Sequence, residues 1–144
     1  MRTKRVNRYY CDFCKKSGCS KGHMATHEAH CTMNPNRKCR LCAEVFNPSP
    51  EALAALVATT KEALSAVAVR VTGDNFGDWV HLDSEALRKV VDDVRDATET
   101  CPACTLAVLR QAGADMGMIG TTGWSFKDEL KAWWADYNEG MRYC

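Results

Sequence analysis

The 144-residue chain has room for one domain with a real core, or for a small metal-held unit beside a modest helical domain, and the second is expected. Its nine cysteines are odd in number, no apolar leader precedes them and no apolar run approaches bilayer length, which argues against a secreted disulfide scaffold or a membrane protein and for a soluble, cytoplasmic zinc protein. The net charge of +1 conceals two opposed halves: residues 1–42 carry ten Lys or Arg against Asp12 and Glu28, a net of +8, and the remainder nine against sixteen, a net of −7. Such asymmetry points to an anionic partner for the basic half or to contact between the halves.

The chain begins with a basic arm, MRTKRVNRYY, in which Val6 to Tyr10 can enter a short strand. Four cysteines and three histidines then crowd into YYCDFCKKSGCSKGHMATHEAHC. Zinc takes four soft or borderline ligands in a tetrahedron, and Cys11-x2-Cys14-x12-His27-x3-Cys31 supplies two from a knuckle and two from one face of a helix, because positions i and i+4 stack. Two other sets use the same crowd: Cys11, Cys14, His23 and His27, which makes an unusually short loop, or His30 in place of Cys31, with poorer i+3 geometry. Cys31 is preferred. Cys19 is then a spare thiol, expected as a small packing residue.

The pattern resembles the ββα zinc finger in its Cys-Cys-His-Cys variant. Met24 stands where that family has a core leucine, and the chain departs from it at Gly18 and Cys19, where a large apolar residue is usual. The resemblance implies that Ser20, His23 and Thr26 occupy the helix positions that face base edges, with Arg2, Lys4, Arg5, Arg8, Lys15, Lys16 and Lys21 available to phosphates. A lone finger buries too little surface for tight specific readout by itself, and Gly22 weakens its helix. Tyr9, Tyr10 and Phe13, interleaved with basic residues, suit stacking on single-stranded nucleic acid, although aromatics beside a zinc core are expected first to belong to that core.

Thr32-Met33-Asn34-Pro35-Asn36 is turn chemistry and should stop the helix through His27. Cys39-Arg40-Leu41-Cys42 is the first of two CxxC knuckles; Cys101-Pro102-Ala103-Cys104 is the second, and together they complete a four-cysteine site. The second pair opens a helix, whose positive end favours thiolates. This pairing looks like a treble-clef or zinc-ribbon site with helices inserted between the knuckles. Two zinc ions per chain are expected, and binding them lowers the net charge by three, to −2, leaving the basic N-terminal excess in place.

Between the knuckles, Ser49 is the expected N-cap and Pro50 a first helical residue, and Leu53, Leu56, Val57, Leu64, Val67 and Val71 trace one face of a long helix expected to end near Gly73. GDNFGDWVHL should be loop with a short strand. Asp83 or Ser84 caps a helix with Leu87, Val90, Val91 and Val94 on its apolar face. The helix from the Cys101 knuckle should end at Gly113, and GADMGMIGTTG should be irregular. Ser125 heads a last helix on which Phe126, Leu130, Trp133, Trp134, Tyr137 and Met141 share a side. Helical aromatics are expected first as core, and an exposed face would serve a protein partner or dimer.

Catalysis is not expected. Zinc knuckles bracket some HNH nuclease cores, but the insertion offers His81 alone, without a downstream histidine or asparagine, and no His-x-Glu precedes the Pro-Cys knuckle as a zinc deaminase requires. Full protein ligand sets make both sites structural. No small-molecule substrate is evident. The expected organisation is a mainly α protein: a basic arm and CCHC finger over residues 1–36, a helical domain bracketed by the knuckles over 37–113, and a glycine-rich loop with a tryptophan helix over 114–144. The run from Tyr9 to Cys42 also resembles the opening of small cysteine-rich bacteriophage proteins of unassigned function, which implies expression in a bacterial host cytoplasm. The expected role is accessory or regulatory, through nucleic acid bound at the finger, or else adaptor or inhibitor of host or phage machinery.

Overall fold

The computed structural model describes residues 5–42, 48–71 and 79–141, with the backbone alone for 69–71, 79–82 and 141. The chain is mainly helical, as its periodicities predict. Its first unit is ββα: β1 (Tyr9–Tyr10) and β2 (Ser17–Gly18) pair antiparallel, with Tyr9 opposite Gly18, and α1 (Lys21–His30) folds back on them. The hairpin forms without a large apolar residue at Gly18 because Met24 fills that space. A Cβ at Gly18 would stand 3.3 Å from Met24 Cε. Met24 is buried with Cys11 and Cys31, and Tyr9 packs against them.

Helix α1 stops where the turn residues predict, and Asn34 is the lock. Its side-chain amide donates to the Glu28 carbonyl at 2.7 Å, and its oxygen accepts from the Asn36 amide at 2.8 Å. Buried Asn34 thus satisfies a helix-end carbonyl and a turn amide together, which a helix terminus buried against the rest of the chain requires.

Ser49 caps α2 (Pro50–Val67), accepting from the Ala52 amide at 3.2 Å, with Pro50 in the first turn. The helix does not reach Gly73. It gives way to β3 (Ala68–Val71), which pairs antiparallel with β4 (Trp79–Leu82), Ala68 opposite Leu82 and Val71 opposite Trp79. The alternating valines of Val67-Ala68-Val69-Arg70-Val71 suit a strand better than a helix, since branched side chains lose little on a pleated surface. Once the Trp79–Leu82 partner is supplied, that preference outweighs continuation of the helical stripe. His81 lies in β4, and its side chain falls outside the described residues.

Asp83 caps α3 (Ser84–Ala97) through bonds from the Glu85 and Ala86 amides. The predicted stripe of Leu87, Val90, Val91 and Val94 is buried in full. It meets Leu106, Val108 and Leu109 of α4 (Pro102–Gln111), with Leu53 and Val67 of α2 closing the core. Full burial of such a side chain contributes about 1.5–3 kcal/mol, so this cluster gives the helical part a core of its own, separate from the finger. Gly113, at φ +83°, ends α4 as expected.

The glycine-rich stretch expected to be irregular instead contains α5 (Met116–Thr121). Asp115 accepts from the Gly117 and Met118 amides, and Ile119 is 1 % exposed. A good cap and a buried anchor overcome the poor helix propensity of the glycines. Trp124 then enters the core, and α6 (Phe126–Met141) runs out over α4. Among the described residues no helix is long and apolar enough to cross a membrane.

Candidate metal centres

The first centre is assembled locally. Cys11 and Cys14 come from the turn after β1, His27 from α1, and Cys31 from the cap position just beyond α1 rather than from within it. Their four ligand atoms lie within 4.8 Å of one another. Cys14 Sγ stands 3.3 Å from His27 Nε2, against an edge of about 3.6 Å for a zinc tetrahedron with S and N ligands. The Lys16 backbone amide, bonded to the Cys14 sulfur, lowers that thiol to about 7, with His27 assisting, whereas burial raises Cys31. One sulfur of this centre is therefore readily ionised near neutral pH.

His23 and His30 are not brought to the ligand cluster. Each is an alternative ligand by sequence spacing, and each has a different position: His23 is exposed on α1, and His30 is bonded through Nδ1 to the Lys38 carbonyl at 2.7 Å. Cys19 is exposed rather than packed, since the hairpin turns it outward ahead of the Ser20 cap.

The second centre joins distant parts of the chain. Cys39 and Cys42 meet Cys101 and Cys104, all four nearly buried, with ligand atoms again within 4.8 Å of one another. Cys39 Sγ–Cys101 Sγ is 3.7 Å and Cys42 Sγ–Cys104 Sγ is 3.5 Å. These distances are far beyond a disulfide's ~2.05 Å and close to the ~3.8 Å edge of a tetrahedron with 2.3 Å Zn–S bonds. Hydrogen bonds from Cys101 and Cys104 drive the Cys39 thiol strongly down, while burial holds Cys42 up and the Cys101 sulfur holds Cys104 up. Four touching sulfurs cannot all become anions unaided, and a divalent cation at their centre removes that conflict.

What surrounds the second centre also serves it. Arg37 Nη1 reaches Cys104 Sγ at 3.6 Å, placing a guanidinium against the sulfur cluster. Leading into Cys101, Glu99 and Thr100 both adopt left-handed backbone conformations, φ 49° and 57°. The Glu99 amide bonds to Asp96 and the Thr100 amide to Arg95, closing α3 so that Cys101 turns back on the cluster. Thr98 and Thr105 hydroxyls, 2.7 Å apart and buried, tie the end of α3 to the first turns of α4. A β-branched residue with positive φ is costly and persists only where the surroundings over-determine it. Neither Arg37 nor this turn is marked in the sequence by any motif.

The donor sets, three thiolates with one imidazole and four thiolates, suit zinc and leave no ligand position for water. Arrangements of this kind can hold elements together.

Of the residues considered for contacts with nucleic acid, Arg5, Arg8, Lys15, Lys16 and Lys21 are exposed on the finger, and Arg2 and Lys4 lie outside the described residues. Ser20, His23 and Thr26 are exposed, but two of them are already engaged: Ser20 Oγ accepts from the His23 amide as the α1 cap, and the Thr26 hydroxyl donates to the Gly22 carbonyl. Their hydroxyls help hold the helix together. Tyr10 and Phe13, expected first in the finger core, are 64 % and 39 % exposed; only Tyr9 packs inward.

The aromatic face of α6 divides along its length. Phe126 packs on the core and Leu130 is half-buried, while Trp134 and Tyr137 are exposed, contrary to the expectation of a core. Trp133 stacks on Tyr137 at 5.5 Å, and Trp134 meets both edge-on. The side chain of Met141 lies outside the described residues. Compared with family models, with characterised proteins and with solved structures, the chain matches none.

Proposed function

We propose that the chain is a non-enzymatic accessory or regulatory protein that binds nucleic acid through its zinc-folded basic finger, with zinc in both centres serving structure. One observation carries this reading: the finger's basic residues and two of its aromatics, Tyr10 and Phe13, are exposed. Tyr10 and Phe13 stand exposed, as do Arg5, Arg8, Lys15 and Lys16 near them in sequence, and among the described residues no ion pair joins the finger to the acidic half. The contacts between the two parts are hydrogen bonds, chiefly Gln111 Nε2 to the Thr32 and Asn34 carbonyls and Arg110 to Thr32 Oγ1. The basic surface is left for another partner. Exposed aromatics beside cations favour single-stranded nucleic acid, whose bases stack while its phosphates are neutralised. The small size of one finger and the engaged hydroxyls of Ser20 and Thr26 fit sequence-tolerant binding.

A salt titration of binding to labelled single-stranded and duplex oligonucleotides tests this. Affinity should fall steeply with salt, favour the single strand, and weaken on Tyr10→Ala, Phe13→Ala or neutralisation of Arg5, Arg8 and Lys15. Absence of binding at low salt would refute the reading.

A second reading draws on the exposed Trp134 and Tyr137. Large exposed aromatics clustered on one helix are typical anchors of protein interfaces. The chain would then be an adaptor or inhibitor, acting in a bacterial host if the likeness to phage proteins extends to origin. Trp134→Ala would abolish partner capture and leave oligonucleotide binding unchanged.

A further inference from the structure

Between α1 and the first knuckle lies a depression of about 360 Å³ lined by Lys16, His23, Thr26, His27, His30 and Arg40. None of the six is a carboxylate, and two carry permanent charge. A merely solvated basic surface spreads its cations over a convex face; here they converge on a concave one. They also come from three parts of the chain. Lys16 belongs to the finger hairpin, His23, Thr26, His27 and His30 share one side of α1 by their i, i+3, i+4 and i+7 spacing, and Arg40 stands between the ligands Cys39 and Cys42.

The juxtaposition is built. The Lys38 amide donates to the Ala29 carbonyl at 2.8 Å, and His30 Nδ1 donates to the Lys38 carbonyl at 2.7 Å. These two bonds clamp the approach to the knuckle onto the end of α1 and so carry Arg40 to the finger. Each metal centre fixes one wall, His27 through the first and Arg40 through the second.

We infer that this depression is a phosphate site. Arg40 offers a planar fork of donors suited to two phosphate oxygens, Lys16 a mobile point charge, and His23 a ring N–H. Zinc-loaded, the Cys3His and four-cysteine centres beside them carry formal charges of −1 and −2, so the site rests on its donors rather than on a net positive charge. A second depression of about 470 Å³ shares Lys16, His23 and His27 and opens toward the hairpin at Ser17 and Cys19, leaving room for a chain to continue past the phosphate. Resting on the nucleic-acid reading, the natural occupant is one backbone phosphate. Free phosphate presents the same chemistry, and the experiment separates the two.

The zinc-loaded full chain is titrated with inorganic phosphate at constant ionic strength and followed by NMR. In parallel, the salt dependence of binding to a labelled single-stranded oligonucleotide is measured for Arg40→Ala, Lys16→Ala and, as a charge-matched control on α2, Lys61→Ala. Saturable shifts confined to residues around Lys16, His23 and Arg40 are expected, and each pocket variant should lose them. The slope of log affinity against log salt should fall by about 0.7 on removal of one phosphate contact to a single strand, with no change for Lys61→Ala. Should Arg40→Ala lose zinc, Lys16→Ala decides, because Lys16 lies in neither ligand pair and its backbone amide is retained. Absent or unsaturable phosphate shifts overturn the site even if oligonucleotides bind. Saturable shifts without oligonucleotide binding keep the phosphate site and overturn the nucleic-acid reading.

Discussion

The two candidate metal centres use similar ligands and do different physical work. The finger centre closes a loop between Cys11 and Cys31, with Cys14 and His27 only half-buried, around a core of little more than Met24 and Tyr9. The four-cysteine centre joins residues 62 apart in sequence, is almost wholly buried, and abuts the first turns of α4, whose Thr105 to Leu109 are buried. A local cross-link of that kind organises its own segment, whereas a long-range one holds a knuckle and its surrounding turns to a helical core. The half-buried centre lies beneath the finger's exposed basic residues; the buried one holds the knuckle that carries Arg40.

The largest expected effect follows from breaking the long-range centre. Binding of structural zinc is worth on the order of 10 kcal/mol or more, so Cys104→Ser should lose one of two zinc ions and much of the cooperative helical melt, read by metal analysis and circular dichroism. Retention of both ions would break the assignment. Cys31→Ser should also lose one ion, but the helical melt should survive, with NMR changes centred on the finger; Cys19→Ser and His23→Ala should keep both ions. Equal collapse in Cys31→Ser and Cys104→Ser would erase the distinction between a local and a long-range centre.

A smaller effect sharpens it. Arg37 is the charged neighbour of the second centre, and groups that hydrogen-bond to metal ligands typically tune affinity about 10- to 100-fold. Arg37→Ala should therefore speed zinc loss to a competing chelator from the second centre and leave the first unchanged, as site-resolved competition would show. Smallest of all, Thr100→Gly removes a β-branched side chain from a left-handed backbone. It should be neutral or raise stability by about 1 kcal/mol, seen as a modest rise in Tm; a large loss would mean that the Thr100 side chain, not only its backbone, supports the knuckle.

Why some of this was legible and some was not follows from range. Met24, Ser49 and Asp83 announce their roles through neighbours a turn away, whereas Ser20, expected at base edges, is the α1 cap; the stripe from Leu87 to Val94 declares its buried face by period alone. The paired knuckles were legible because two thiolates at CxxC spacing are half of a tetrahedron wherever they occur. Val67 to Val71 misleads because the same valines satisfy a helical stripe and a strand, and the choice waits on a partner at Trp79 to Leu82. Trp134 and Tyr137 mislead because a helical stripe shows that a face is apolar without showing where the neighbouring helix ends.

The sequence by itself determined the donor sets, several helix boundaries and the basic character of the finger, because spacing, capping and charge are local properties. Tertiary structure alone decided that Arg37 lies against the Cys104 sulfur, that Arg40 joins Lys16 and His23 around one depression, and that Tyr10 and Phe13 face outward. Those relations arise when segments far apart in the chain are folded together, so no local pattern in the sequence records them.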